Sequence, residues 1–149
     1  MTRVHAFRSD DALGHHDAVG LVELLHDGQV SVPEAVEAAI ARVEAVNDRL
    51  NAVAYADYDR AREQARDPRA GFFSGVPTFL KDNVDTEGMP TQQGTDAWEP
   101  EARHVDGDFA RMFLATGPIV LGKTQLSEFG FSGAAAILEL LAAAVDKIP

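Results

Sequence analysis

Two short apolar runs, "GVPTFL" at 75–80 and "PIVLG" at 118–122, constrain this chain most. Each is shorter than a self-sufficient helix and too apolar to lie in solvent, so each reads as a strand that needs a partner. Between them come a polar stretch from Asp82 to Asp106 and a helical pattern, "FARMFLAT", which Asp106 or Asp108 is placed to cap and Gly117 to end. Strand, crossover helix and strand predict a right-handed βαβ unit in a largely parallel sheet, hence an α/β fold class. A polar stretch this long inside a crossover is expected to be functional rather than a mere connection.

The first 70 residues follow a different pattern. Ala18, Leu21, Val22 and Leu25 recur at helical spacing, with Gly28 as the stop. In "SVPEAVEAAIARVEAVNDRL", Ser31 and Glu34 stand in capping-box register and Pro33 lies in the first turn. Val36, Ala39, Ile40, Val43, Val46 and Leu50 then line one face. "NAVAYADY" reads as a short strand, and "DRAREQARD" as a mostly exposed helix ending before Pro68. The expected organisation is a single partial domain over 1–149. Residues 1–70 form a helical segment, 71–133 a core carrying the strand pair, and 134–149 an alanine-rich helical tail.

Composition removes several function classes. The chain of 149 residues has no cysteine, which excludes disulfides, thiolate nucleophiles and thiolate-bound metals. A formal charge of -11 repels phosphate backbones, so no nucleic-acid partner is expected, and a small molecule or a protein is the better fit. No apolar run reaches the roughly eighteen residues that span a bilayer, and the start has no secretory-type apolar stretch; no membrane and a cytoplasmic location are expected.

Several motifs have ordinary explanations. "GPIVLGKT" satisfies the phosphate-loop spacing, but a true loop presents backbone N–H groups after its strand has ended. Pro118 has none to present, and Ile119, Val120 and Leu121 are strand residues. The adjacent His15 and His16 cannot share a helix face, and His26 and His104 have no second ligand at a recognisable spacing, so no metal is expected. Glu99 and Glu101, and Asp82 and Asp85, superficially suggest paired catalytic carboxylates; turn chemistry accounts for them, with Asp85-Thr86-Glu87-Gly88 composed as a turn.

Lys81 differs in its setting, between an apolar run and Asp82-Asn83. The passage "GVPTFLKDNVDTEGMPTQQGT", followed by "GPIVLGKTQLSEFGFSG", resembles the amidase signature family. There a G-V-P-x-x-x-K-D-N segment carries a catalytic lysine, and a later G-K-T-x-x-S-E-F segment leads toward the nucleophile. The resemblance runs from about Leu21 to Gly133. It implies the amino-terminal helices and βαβ portion of the mixed-sheet amidase signature fold, truncated, with no cofactor. It also implies hydrolysis of non-peptide carbon–nitrogen bonds in a small-molecule amide by a Ser, cis-Ser, Lys triad, with Lys81 as the proton acceptor. A lysine acts as a base only when neutral, and burial favours that form, so Lys81 is expected in a dry pocket near Phe79 and Leu80.

The triad's other members have no counterpart here. The five serines are Ser9, Ser31, Ser74, Ser127 and Ser132, and no G-S-S-G-G-S type segment is present. Ser127 and Ser132 match family positions before the two catalytic serines, so neither role is carried onto them. The expectation is the amino-terminal part of an amidase, diverging after Gly133 and inactive alone, whose open sheet favours self-association or pairing with a complementary chain. An amidotransferase subunit that releases ammonia from glutamine, and a noncatalytic interaction fragment, are the alternatives.

Overall fold

The computed structural model describes residues 10–131. The expectations for Ser9, Ser132 and the tail 134–149 lie outside the described residues.

Helix α1, Ala18–His26, begins where the Asp17 carboxylate accepts the Gly20 N–H at 2.8 Å. Helix α2, Val32–Leu50, has the expected capping box. The Ser31 hydroxyl accepts the Glu34 N–H, and the Glu34 carboxylate accepts the Ser31 N–H, so two donors orphaned by the helix start are satisfied reciprocally. Asn51, in left-handed conformation at φ 45°, ends it. The buried side of α2 is Ala35, Val36, Ala39, Ile40 and Val46. Helix α3, Tyr58–Arg66, lays Ala61 and Ala65 against α2, and Arg62 reaches Glu37 at 2.7 Å across the pair.

The strands are β1, Val53–Ala56, β2, Pro77–Lys81, and β3, Ile119–Thr124, in the spatial order β1-β3-β2. The expected β2 and β3 pair is parallel, joined through a crossover containing helix α4, Asp108–Leu114. The sheet as a whole is mixed, because β1 runs antiparallel to β3 on its other side. β1 therefore ties the first 70 residues into the same sheet as the later segment. Central β3 is buried over Ile119–Lys123. Its Ile119 and Leu121 join Val36, Ala39, Ile40, Ala61 and Ala65, while Val120 faces the other way, onto Leu80 and Met89.

Both pairings are irregular. Thr78 faces Val120 and Leu80 faces Lys123, so three steps along β3 answer two along β2. Such a bulge turns the following side chains to the opposite face. Gly122 sits inside it at φ 150°, where a Cβ would fall 2.1 Å from the Tyr55 carbonyl oxygen; only glycine lets β1 approach this closely.

Neither aspartate expected to cap α4 does so. The N-cap is Gly107. The Asp106 carboxylate instead accepts the Glu87 N–H at 2.8 Å, and Asp108 pairs with Arg111 one turn on.

Candidate active site at the carboxyl ends of two parallel strands

β2 and β3 end side by side, Lys81 opposite Thr124. In open α/β sheets the carboxyl ends of parallel strands are where ligands gather. Lys81 is the last residue of β2 and its side chain is exposed, whereas Leu80 before it is buried. The dry pocket expected for Lys81 is thus not formed by the described residues. Leu80 packs on Met89 and Val120, so Lys81 falls on the other face, with Phe79, but at the last position of the strand, where its side chain is exposed.

The loop after Lys81 folds back on the strand end. The Asp82 N–H donates to the Thr124 carbonyl at 3.0 Å, and the Gln93 N–H donates to the Asp82 carbonyl at 3.0 Å. The Asp82 carboxylate, 3% exposed, accepts the Gln92 N–H at 3.2 Å. Asp82 lies in a local turn, closed by the Val84 N–H on the Lys81 carbonyl at 3.0 Å, and is also a closure point ten residues across. Asp85 pairs with Arg103 at 2.8 Å, and Gly88 and Met89 exchange backbone bonds with Arg103. Glu99 and Glu101 are exposed. None of these acids forms a catalytic pair.

The middle of the loop rests on the segment after β3. The Phe129 N–H donates to the Gln93 carbonyl at 2.9 Å, and the Thr95 hydroxyl donates to Glu128 at 2.7 Å. At Gly94, φ 68°, a Cβ would lie 2.3 Å from the Leu126 carbonyl oxygen, so glycine permits this contact too. Ser127 is half-buried at the start of a 3-10 turn, Glu128–Gly130.

Of the two lysines among the described residues, the buried one is Lys123, from "GKT", not Lys81. It is fully inaccessible, and its Nζ donates to the carbonyls of Val84 and Pro90 (3.2 Å) and to the Thr91 hydroxyl at 3.3 Å. Burial pushes its pKa down from the ordinary 10.5. The nearby carboxylates of Asp82 and Asp85 oppose that shift, and Arg103 adds to it. "GKT" is part of a strand, as its apolar context implied, but the face to which its lysine turns is set by the bulge against β2, which one strand's sequence does not display.

Among the described residues no group of three or more His, Asp or Glu is placed to hold a metal, and no helix is long and apolar enough to cross a membrane. His15, His16, His26 and His104 are exposed.

The Amidase family profile matches residues 34–136, more than half the chain and including both lysine segments. The chain belongs to the amidase family. AmiC of Mycobacterium leprae (strain TN) is 56% identical to it over 140 residues, covering 94% of this chain and 30% of AmiC. Indoleacetamide hydrolase of Bradyrhizobium diazoefficiens is 35% identical over 124 residues, covering 78% of this chain and 24% of that protein. Among solved structures, 6-aminohexanoate cyclic dimer hydrolase superposes with a TM-score of 0.68 at 34% identity, over 76% of this chain and 24% of its own. This amidase-family chain therefore spans about a quarter to a third of the length of these relatives.

Proposed function

We propose that this chain supplies the lysine of an amide hydrolase that cleaves a non-peptide carbon–nitrogen bond in a small molecule to a carboxylate and ammonia or an amine. The reading is carried by one observation: Lys81 of the "GVPTFLKDN" segment stands exposed at the carboxyl end of β2, beside the end of the strand that carries "GKT". Two relatives whose names describe amide hydrolysis, of indoleacetamide and of the 6-aminohexanoate cyclic dimer, support the reaction class.

The chemistry asks Lys81 to accept a proton, relayed through a bridging serine from a nucleophilic serine that attacks the amide carbonyl. The amine leaves with a proton, and water then releases the acid from the acyl-enzyme. Two requirements follow from the geometry. Water must be excluded from around the Lys81 amine, because desolvation favours its neutral form; the described residues leave it open. Two hydroxyls must also come within hydrogen-bond reach of that amine. Ser31 is committed to its cap, and Ser74 precedes β2 at its opposite end. Ser127, half-buried after β3, matches a family position ahead of the catalytic serines; we therefore assign both the cover and the hydroxyls to a further serine-bearing segment laid over the strand ends, and expect the chain alone to be silent.

Ammonia release from aliphatic and aromatic amides tests this. The expected result is no turnover by the chain alone, and turnover in the presence of a G-S-S-G-G-S bearing amidase segment that is lost in Lys81→Ala. Turnover that survives Lys81→Ala would remove Lys81 from its role.

A further inference from the structure

We infer that Lys123 is a positioning residue: its buried ammonium pins the loop from Asp82 to Asp106 onto the sheet and so fixes the backbone from which Lys81 projects. The consequence for catalysis rests on the proposed role of Lys81; the pin itself does not.

An ammonium has three N–H donors and no acceptor, and Lys123 meets three acceptors, the Val84 and Pro90 carbonyls and the Thr91 hydroxyl. Those acceptors come from two separate parts of the loop, its first turn and its midpoint, so one side chain fastens both to β3. The attachment points adjoin a second closure. Gln92 and Gln93, immediately after Thr91, donate to Asp82, whose own N–H is held by Thr124, immediately after Lys123. Lys81 is therefore bracketed: the residue after it is tied to both neighbours of the pin.

The bulge makes this arrangement available. Because β3 advances three residues against two on β2, Lys123 pairs with inward-facing Leu80 and lies under the loop with Met89 and Val120, away from α2 and α3. Packing alone does not require a charge there. A methionine would fill similar volume without the desolvation cost of a buried ammonium, which the Asp82 and Asp85 carboxylates only partly offset. What the ammonium adds is direction: three bonds that hold the loop in one arrangement.

Native-state amide exchange on the full 149-residue chain, in the wild type, Lys123→Met and Thr91→Val, tests the pin. In Lys123→Met the amides of Gln92, Gln93 and Asp82 should exchange roughly tenfold faster or more, through an opening insensitive to low denaturant, while those of Ala39 and Ile40 in α2 report only global unfolding. Thr91→Val removes one acceptor and should give a smaller acceleration, about threefold, at the same loop amides; it decides the matter if Lys123→Met does not fold. Loop amides that keep their wild-type rates, or accelerate only in step with α2, overturn the inference.

The link to Lys81 has its own readout. Isotopic methylation of the chain's amines places a reporter on Lys81, assigned as the signal absent from Lys81→Ala. Its NMR signal should move in Thr91→Val and in Lys123→Met, and stay in place in Ser31→Ala, a control that loosens a distant helix end. An unmoved signal in both loop variants overturns the positioning role. Neither readout uses turnover, so their failure and the failure of Lys81→Ala to abolish activity are separate results.

Discussion

Lys81 and Lys123 are two of the chain's three lysines and occupy opposite environments, one exposed and one inaccessible. An amine-reactive ester at mildly alkaline pH should therefore label Lys81 and spare Lys123 until urea unfolds the chain; peptide mapping of the products checks this. The lowered pKa of Lys123 also has a sign in stability. Between its folded value and the ordinary 10.5 the unfolded chain binds more protons at this position than the folded one, so its contribution to stability rises with pH through that window. The wild type should accordingly gain stability relative to Lys123→Met as pH is raised toward 10.5, measured from paired urea midpoints. Lys81→Ala, a surface change outside these contacts, should shift the urea midpoint by no more than about 0.5 kcal/mol equivalent.

At the scale of elements, the α2 start is the clearest test of local design. Ser31→Ala removes the hydroxyl that accepts the Glu34 N–H and should cost about 1 kcal/mol in urea unfolding. Asp11, before α1, meets Arg42 of α2 at 2.6 Å. That guanidinium holds the Asp11 carboxyl below the usual carboxylate range, helped by the Leu13 and Gly14 N–H groups and opposed by burial. The stabilisation is present above the ordinary value of 3.8 and is lost as pH falls through the lowered folded value. Asp11→Asn should flatten the acid limb of the stability profile in a pH series of urea melts.

The capping box, the helical faces and the strand pair were legible in sequence because each depends on neighbours a few residues apart. The α4 cap was not, since Asp106 is drawn to the Glu87 N–H nineteen residues away, a competitor that no local pattern displays. The same limit governed the site. Lys81 was singled out by its segment, but which lysine is buried depends on the register between β2 and β3, and a bulge is a property of two strands together.

On the scale of the molecule, one three-stranded mixed sheet gathers both ends of the described chain: β1 from the helical opening, β2 from the lysine segment and β3 between them. Within the described residues β1 and β2 are edges, and Phe109 and Met112 of α4 are exposed. The charge of -11 opposes association of copies at neutral pH. Acidification, by protonating carboxylates, should therefore promote self-association before it unfolds the chain, seen as a rise in sedimentation coefficient at intermediate pH.

The extra residue in β3 gives the centre of the sheet a parity. Deleting one position between Val120 and Lys123 would do more than shorten a strand: it would roll the ribbon by half a rotation and carry the ammonium from its carbonyl nest to the greasy underside shared by Ile40 and Ala61. Variation in length is thus forbidden between Val120 and Lys123, even though Val120 and Leu121 there are ordinary aliphatics that would tolerate exchange with others of their kind.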